Sequence, residues 1–199
     1  MPNSSRRRVR KPRTSDARVM HSTAAAGYAA LTLLIERDFR VVTVQDILDR
    51  SGVSRTTFYA HFRNKQDALY SAIDRNLEVL DSLLANRSPL GTRIFPVAEF
   101  LDHATASRTF VAALRRAGEM ADFRALCVGH IAQLIERRLD TLRLASTIAR
   151  PVLARMLAGA VIEILDWWED HGASMRSVDI DVAFHALARG VLRSPGSSR

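Results

Sequence analysis

The segment that most constrains the fold is residues 43–67, TVQDILDRSGVSRTTFYAHFRNKQD, which reads as two short helices joined by a glycine turn. Thr43 suits an N-cap, and Asp46, three residues later, completes a capping box ahead of an apolar stripe. The first helix is therefore expected at residues 44–50. Gly52 stands where the chain must turn, since a residue without a Cβ adopts positive φ freely. The segment predicts a helix-turn-helix and, with it, DNA as a partner.

The residues after the turn separate into a buried side and an exposed side. Ser54 is placed to cap the second helix, on which Phe58 and Phe62, four residues apart, share one face with Val53. The other faces carry side chains suited to contact with DNA, namely Arg55, Thr56, Thr57, Tyr59 and His61. The sequence thus already distinguishes core from contact surface.

Residues 43–69 resemble the DNA-binding domain of the TetR (tetracycline repressor) family. In that family a capping residue, a short helix, a Gly-Val-Ser turn, a recognition helix ending in an aromatic-x-His-Phe run and a lysine follow one another. Here they are Thr43, the GVS of 52–54, the YAHF of 59–62 and Lys65. The glycine that usually precedes the capping threonine in the family is absent, because this chain reads ERDFRVV there.

The resemblance implies a role for each contact residue. Those expected on DNA phosphates are Thr43, Tyr59 and Lys65. Those expected at base edges are Arg55, Thr56 and Thr57, while His61 contacts either the backbone or a base. Ser54 joins this DNA-binding set as the cap of the recognition helix. The resemblance also implies a homodimer on a palindromic operator and a helical C-terminal domain that senses a small molecule.

The distribution of charge along the chain also indicates that the N-terminal part binds DNA. Residues 1–65 hold 13 Arg and Lys against 5 Asp and Glu, whereas residues 66–199 hold 16 of each, so the net charge of +8 lies in the first part. Such a partition is typical of a phosphate-facing domain joined to a neutral one. Residues 1–14, MPNSSRRRVRKPRT, are expected to be disordered without a partner. They act either as a DNA-binding arm or as a solvating tail.

The basic start followed by an Ala-rich run also resembles an exported leader, but charged residues interrupt it and no A-x-A site follows. Helical periodicity at Ala24, Tyr28, Leu31, Leu34 and Ile35 instead predicts a first helix that supports the helix-turn-helix. No apolar run is long enough to span a membrane, and a single cysteine suits a reducing compartment, so a cytoplasmic protein without membrane contact is expected.

Helix formers dominate the composition, which predicts an all-α chain. We expect a helix-turn-helix domain at residues 15–65 and a helical effector-binding and dimerisation domain at residues 66–199. Asn64 is placed to cap a fourth helix, and NRSPLGT at residues 86–92 is expected to be a loop. Further helices are expected near 94–106, 107–117, 119–144, 150–171 and 177–191.

The helix near 150–171 is apolar around most of its circumference, so it must be covered on more than one side. The last helix offers a matching stripe at Ile180, Phe184, Leu187 and Val191. A homodimer through residues 150–191 would cover both, as in the family, where the last two helices of each subunit form a four-helix bundle. A wholly intrachain core is the alternative.

No catalytic or metal-binding motif is present, so neither an enzyme nor a cofactor is expected. A set of C-terminal side chains is the candidate lining of a ligand cavity, and ordinary packing or solvated surface is the alternative for each of them taken singly: His103, Phe123, Cys127, His130 and Trp167. Any such cavity should be mostly apolar and favour a hydrophobic ligand.

These patterns predict a homodimeric repressor released from a palindromic operator by a small hydrophobic molecule. Two alternatives remain, an effector-independent or architectural DNA-binding protein and a helical enzyme that carries a vestigial DNA-binding module.

Overall fold

The computed structural model describes residues 14–87, 91–144, 146–171 and 174–192. Every regular element in these ranges is a helix. In chain order they are α1 (Thr14–Glu36), α2 (Val44–Ser51), α3 (Arg55–Tyr59), α4 (Lys65–Arg87), α5 (Val97–Ala106), α6 (Arg108–Ala117), α7 (Met120–Thr141), α8 (Arg150–Asp170) and α9 (Ser177–Val191). The prediction of an all-α chain is confirmed. The basic arm expected at residues 1–14 lies outside the described residues except for Thr14, which begins α1.

The helix bounds follow the sequence signals closely. The ends of α5 to α9 fall within three residues of the expected ranges. The loop expected from Asn86 begins later, since α4 continues to Arg87. Asn64 caps α4 as expected, accepting a hydrogen bond on Oδ1 from the Asp67 backbone N–H at 2.8 Å.

The N-terminal cluster is the apolar core shared by α1 to α4 and α6. Its α1 residues include Ala26, Ala30 and Leu33, which are all buried. The apolar stripe predicted from the sequence lies about one residue away from this buried face. That expectation was wrong at Tyr28, which is 72% exposed, and also at Ala24 and Ile35, which are exposed. An Ala-rich helix gives a weak periodic signal because both faces are apolar.

Gly27 allows α1 and α4 to approach closely. A Cβ at this position would lie 3.0 Å from the Cβ of Ala72 and 3.2 Å from the carbonyl oxygen of Ala68. These distances are shorter than ordinary van der Waals contact, so a larger residue would separate the two helices.

The C-terminal cluster is the larger apolar core, built from α4, α5, α7, α8 and α9. The two clusters share α4, whose Ala68, Leu69 and Ile73 belong to the N-terminal cluster and whose Leu80 belongs to the C-terminal one. α6 packs its buried face on α1 rather than into the C-terminal cluster. The N-terminal core therefore includes residues beyond 65.

The helices α8 and α9 each bury one side within the chain and expose an apolar side. Leu157 and Val161 of α8 are buried, whereas Val152 and Met156 are more than half exposed. On α9, Val182 and Leu187 are likewise exposed, whereas Ile180 and Phe184 are buried. No helix in the described ranges is long and apolar enough to cross a membrane.

Candidate nucleic-acid interface and ligand cavity

The start of α2 is fixed by a reciprocal capping box. The backbone N–H of Asp46 donates to Thr43 Oγ1 at 3.2 Å, and the backbone N–H of Thr43 donates to Asp46 Oδ2 at 2.7 Å. Arg37 also reaches Asp46, with 2.9 Å between Nη2 and Oδ1. The hydrogen bonds from the Thr43 hydroxyl and backbone, together with Arg37, lower the pKa of Asp46 from 3.8 to about 2.

The turn between α2 and α3 has the geometry expected for a helix-turn-helix. Gly52 adopts φ +68°, and its N–H donates to the Leu48 carbonyl at 2.9 Å. Ser54 then caps α3 by accepting the Thr57 backbone N–H on Oγ at 3.1 Å. Both turn-forming predictions, the glycine and the serine cap, are confirmed by these contacts.

The recognition helix α3 is anchored by aromatic packing. Phe58 and Phe62 are buried, with ring centroids 5.3 Å apart, although α3 itself ends at Tyr59. Tyr59 lies edge-on to Phe58 and remains half exposed. The buried rings therefore hold the opposite surface of α3 toward solvent.

The residues predicted to contact DNA differ in solvent exposure and in the hydrogen bonds that they make within the protein. Arg55, Thr56, Tyr59, His61, Thr43 and Ser54 are all exposed. Thr57 is half-buried, and its hydroxyl lies 2.8 Å from Ser54 Oγ, so part of its hydrogen-bonding capacity is used in the cap.

Gln45 of α2 was not anticipated from the sequence. Its Oε1 accepts a hydrogen bond from Arg55 Nη2 at 2.6 Å, while its Nε2 donates to Asp49 Oδ1 at 2.7 Å. Gln45 thus restrains the guanidinium of Arg55 from the neighbouring helix. The spacing of Gln45 and Asp49, one helical turn apart on the solvent side of α2, predicts the hydrogen bond between them but not the contact with Arg55.

Lys65 is the predicted phosphate contact whose surroundings differ most from expectation. Its Nζ donates to the carbonyl oxygens of Phe39, Arg40 and Val42 at 2.7, 3.0 and 2.7 Å. An ammonium has three N–H donors, and all three are directed into the protein.

Comparison with known proteins agrees with this geometry. Residues 28–73 match the family described as "Bacterial regulatory proteins, tetR family". The uncharacterized HTH-type transcriptional regulator YxbF of Bacillus subtilis (strain 168) is 36% identical over 81 residues, which are 40% of this chain and 21% of that protein. Residues 28–73 are therefore a DNA-binding domain of the TetR type. The chain spans only about a fifth of the length of this curated relative.

Solved structures show the same fold over most of the chain. A TetR-family transcriptional regulator from Syntrophomonas wolfei aligns with a TM-score of 0.56 at 16% identity, covering 86% of this chain and 96% of the other. The dihydroxyacetone kinase operon activator DhaS aligns with a TM-score of 0.54 at 14% identity, covering 85% and 94%. At these identities the likeness is one of fold.

The C-terminal helices, together with α1, line a cavity of about 500 Å³ that is open to solvent on one side. Of the five predicted cavity residues, it is lined by His103, Phe123 and Cys127. Its walls also include Leu31 and Ile35 of α1, so the cavity reaches the first helix of the DNA-binding part. Polar lining residues that the sequence did not single out are Asn76, Ser107, Thr109, Arg124 and Asp166.

The prediction that His130 and Trp167 line the same cavity was wrong. His130 faces α4, where its Nε2 lies 2.7 Å from Asp81 Oδ2 beside a separate cavity of about 370 Å³. Burial raises the pKa of Asp81. Trp167 is partly exposed and stacks on His171 at a centroid distance of 4.6 Å.

The cysteine of the cavity wall is a neutral thiol. Burial raises the pKa of the Cys127 thiol to about 12, so the sulfur is protonated at neutral pH. Among the described residues, no group of three or more His, Cys, Asp and Glu side chains is placed to hold a metal ion.

The cavity and the DNA-binding part share α6. Phe110 and Val111 of this helix line the cavity, whereas Leu114 and Ala117 belong to the N-terminal cluster. At the end of α6, Glu119 accepts a hydrogen bond of 2.5 Å from the Tyr70 hydroxyl of α4. Movement of α6 would therefore be transmitted to α1 and α4 by direct contact.

Proposed function

We propose that this chain is a homodimeric DNA-binding transcriptional repressor that a small hydrophobic ligand releases from a palindromic operator. The observation that carries the DNA-binding part is the capped α2–turn–α3 unit, in which buried Phe58 and Phe62 leave Arg55 and Thr56 on the solvent side. Side chains at the N-terminal end of a recognition helix are those that reach base edges in the major groove.

The contact residues divide by chemistry. Arg55 is the base-reading residue, since a guanidinium makes two parallel hydrogen bonds to guanine and Gln45 restrains it beforehand. Thr56 and Thr57 lie beside it at the start of α3. Thr43, Tyr59 and His61 supply backbone contacts that set the register on DNA. Lys65 acts by holding the loop between α1 and α2, from which Thr43 projects.

Dimerisation is proposed through the exposed apolar sides of α8 and α9. Val152, Met156, Val182 and Leu187 are each more than half exposed, and they lie on the two helices already apolar on their inner sides. Exposed apolar surface of this kind is typical of an interface, and a two-fold pairing would cover the same surface on both subunits.

Ligand control is proposed through the cavity of about 500 Å³, whose walls include α1, α4 and α6. A ligand that binds one arrangement of these helices more tightly shifts the population toward it. Operator binding requires the two recognition helices to enter successive major grooves, about 34 Å apart. A small change in the angle of α4 would alter that spacing.

Selection from a random duplex library tests the proposal. The purified protein should enrich sequences with dyad symmetry and half-sites about one helical turn apart. A salt titration on the enriched sequence and on random DNA should then retain an affinity ratio of about a thousandfold or more. Enrichment without symmetry, or a ratio near one, would instead indicate an architectural DNA-binding protein. A reporter gene behind the enriched sequence should be expressed less when the protein is present, and increased expression would indicate an activator, as DhaS is named.

A further inference from the structure

The charged groups of the large cavity lie on one wall, formed by α7 and α8. The charged residues in its lining are Arg124 of α7 and Asp166 of α8. Most of the other lining residues are apolar. The charge balance on this wall decides which ligand the cavity favours, because electrostatic interactions are strong in apolar surroundings.

Arg124 is already engaged by two carboxylates. Its Nη2 donates to Glu163 Oε1 at 2.6 Å, and its Nη1 is paired with Asp166 Oδ2. Two carboxylates against one guanidinium give this group a net charge of −1; Glu163 is 75% exposed and lies outside the cavity, so it holds Arg124 from the solvent side and Asp166 is the carboxylate that faces the cavity. An anionic ligand would have to displace a carboxylate from Arg124, whereas a cationic ligand would complete the neutralisation.

Aromatic rings supply the rest of a cation site. Phe100, Phe110 and Phe123 line the cavity, and the rings of Phe110 and Phe123 are nearly perpendicular, with centroids 5.7 Å apart. The negative face of an aromatic ring attracts a cation within about 6 Å of its centroid. The same rings bind the apolar part of a ligand.

We propose that the cavity binds lipophilic monocations, with the cationic group beside Asp166 and the apolar body among the phenylalanine rings. The inference rests on the proposed function, since it names the ligand class for the same cavity. It goes further in excluding hydrophobic acids, which an apolar cavity containing an arginine would otherwise suit.

Three compounds that share one skeleton test the charge preference on the full chain. 4-Phenylbutylammonium, 4-phenylbutanol and 4-phenylbutyrate differ only in whether the head group is cationic, neutral or anionic. Isothermal titration should give the order cation, alcohol, acid, with the cation bound about tenfold or more tightly than the alcohol. Equal or tighter binding of the alcohol or the acid would overturn the cation assignment and leave the cavity as a ligand site.

Matched variants locate the charge. Asp166→Asn should bring cation affinity down to that of the alcohol while alcohol binding is retained. Asp170→Asn is the control, because Asp170 is exposed on the same helix, does not line the cavity and changes the net charge equally. An equal loss in both variants would show that the preference reflects overall charge and would overturn the site.

A second variant covers the case in which Asp166→Asn disturbs folding. Phe123→Leu keeps an apolar side chain but removes a ring, so it should weaken binding of the cation more than binding of the alcohol. An equal effect on both would contradict a cation–ring contact. Absence of saturable binding by all three compounds to wild-type protein would overturn ligand sensing by this cavity, whereas selection of a palindromic operator would be unaffected.

Discussion

Lys65 and Phe39 contact each other twice. The Nζ of Lys65 donates to the carbonyl oxygen of Phe39 at 2.7 Å and lies 5.1 Å from the centroid of its ring. With the further bonds to the carbonyl oxygens of Arg40 and Val42, the first residue of α4 fixes the segment between α1 and α2. This segment has no glycine at the place where the family usually carries one, and three of its backbone carbonyl groups are held by the lysine.

Replacement of Lys65 by Met should therefore act on folding stability. The variant keeps an apolar stem but leaves three carbonyl groups without their donor, so a loss of about 1–3 kcal/mol in the free energy of unfolding is expected in urea titrations. DNA affinity should fall on all sequences alike, with the salt dependence of binding unchanged.

The control for Lys65→Met is Arg63→Ala, which removes an exposed ion pair with Asp67 and should cost less than about 1 kcal/mol. The opposite outcome is a Lys65→Met variant with unaltered stability, for which the slope of log binding constant against log salt concentration is smaller by about one. That result would show that the ammonium neutralises a DNA phosphate.

Arg55→Ala should cost about 1–3 kcal/mol on the selected operator and relax the preference at one base pair. Gln45→Ala should relax the preference at the same base pair by a smaller amount, because it removes only the 2.6 Å hydrogen bond that restrains the guanidinium. Binding to a set of single-base operator variants measures both. Relaxation at two different positions would mean that Gln45 reads a base of its own.

Local signals in the sequence were sufficient for the helix-turn-helix. The capping box at Thr43 and Asp46, the turn at Gly52 and the cap at Ser54 each depend on residues within a few positions of one another, so their spacing determines the geometry. The structure reproduces all of them. The roles of individual side chains toward DNA remain predictions.

Membership of the cavity could be predicted only in part, because it depends on where the cavity begins and ends along each long helix as well as on which face it meets. On α7, Phe123 and Cys127 line the cavity, whereas His130, which is on nearly the same face as Phe123 but about 10 Å further along the axis, lies beside Asp81 of α4. The engagement of Lys65 and the position of Gln45 beside Arg55 were also missed. These contacts join residues 10 to 26 positions apart, so neither could be inferred from local spacing.

The capping box should make the DNA-binding part sensitive to acid. The pKa of Asp46 is lowered from 3.8 to about 2, so its ionised form stabilises the folded state above pH 3.8, and that contribution is lost as the pH falls toward 2. Thermal unfolding followed between pH 6 and pH 2 should show this decline in wild-type protein.

Asp46→Asn is the test of that assignment. The variant should be less stable than wild type at pH 6 and should lose less stability on acidification, so that the two curves converge near pH 2. Parallel curves over the whole range would show that other carboxylates, such as Asp38 with its pKa also lowered to about 2 by Arg40, determine the acid response.

The proposed dimer interface can be tested with two adjacent residues of α8 that differ in burial. Met156 is 59% exposed and Leu157 is 5% exposed, so Glu at position 156 introduces a charge only between subunits, whereas Glu at position 157 introduces one into the core. Met156→Glu should give a folded monomer that has lost its affinity for the palindrome, and Leu157→Glu should lose its folded structure. Sedimentation together with circular dichroism distinguishes these outcomes. A folded Met156→Glu protein that still sediments as a dimer would place the interface on another surface. In that case Val182→Glu, at a residue of α9 that is 60% exposed, should also remain a dimer.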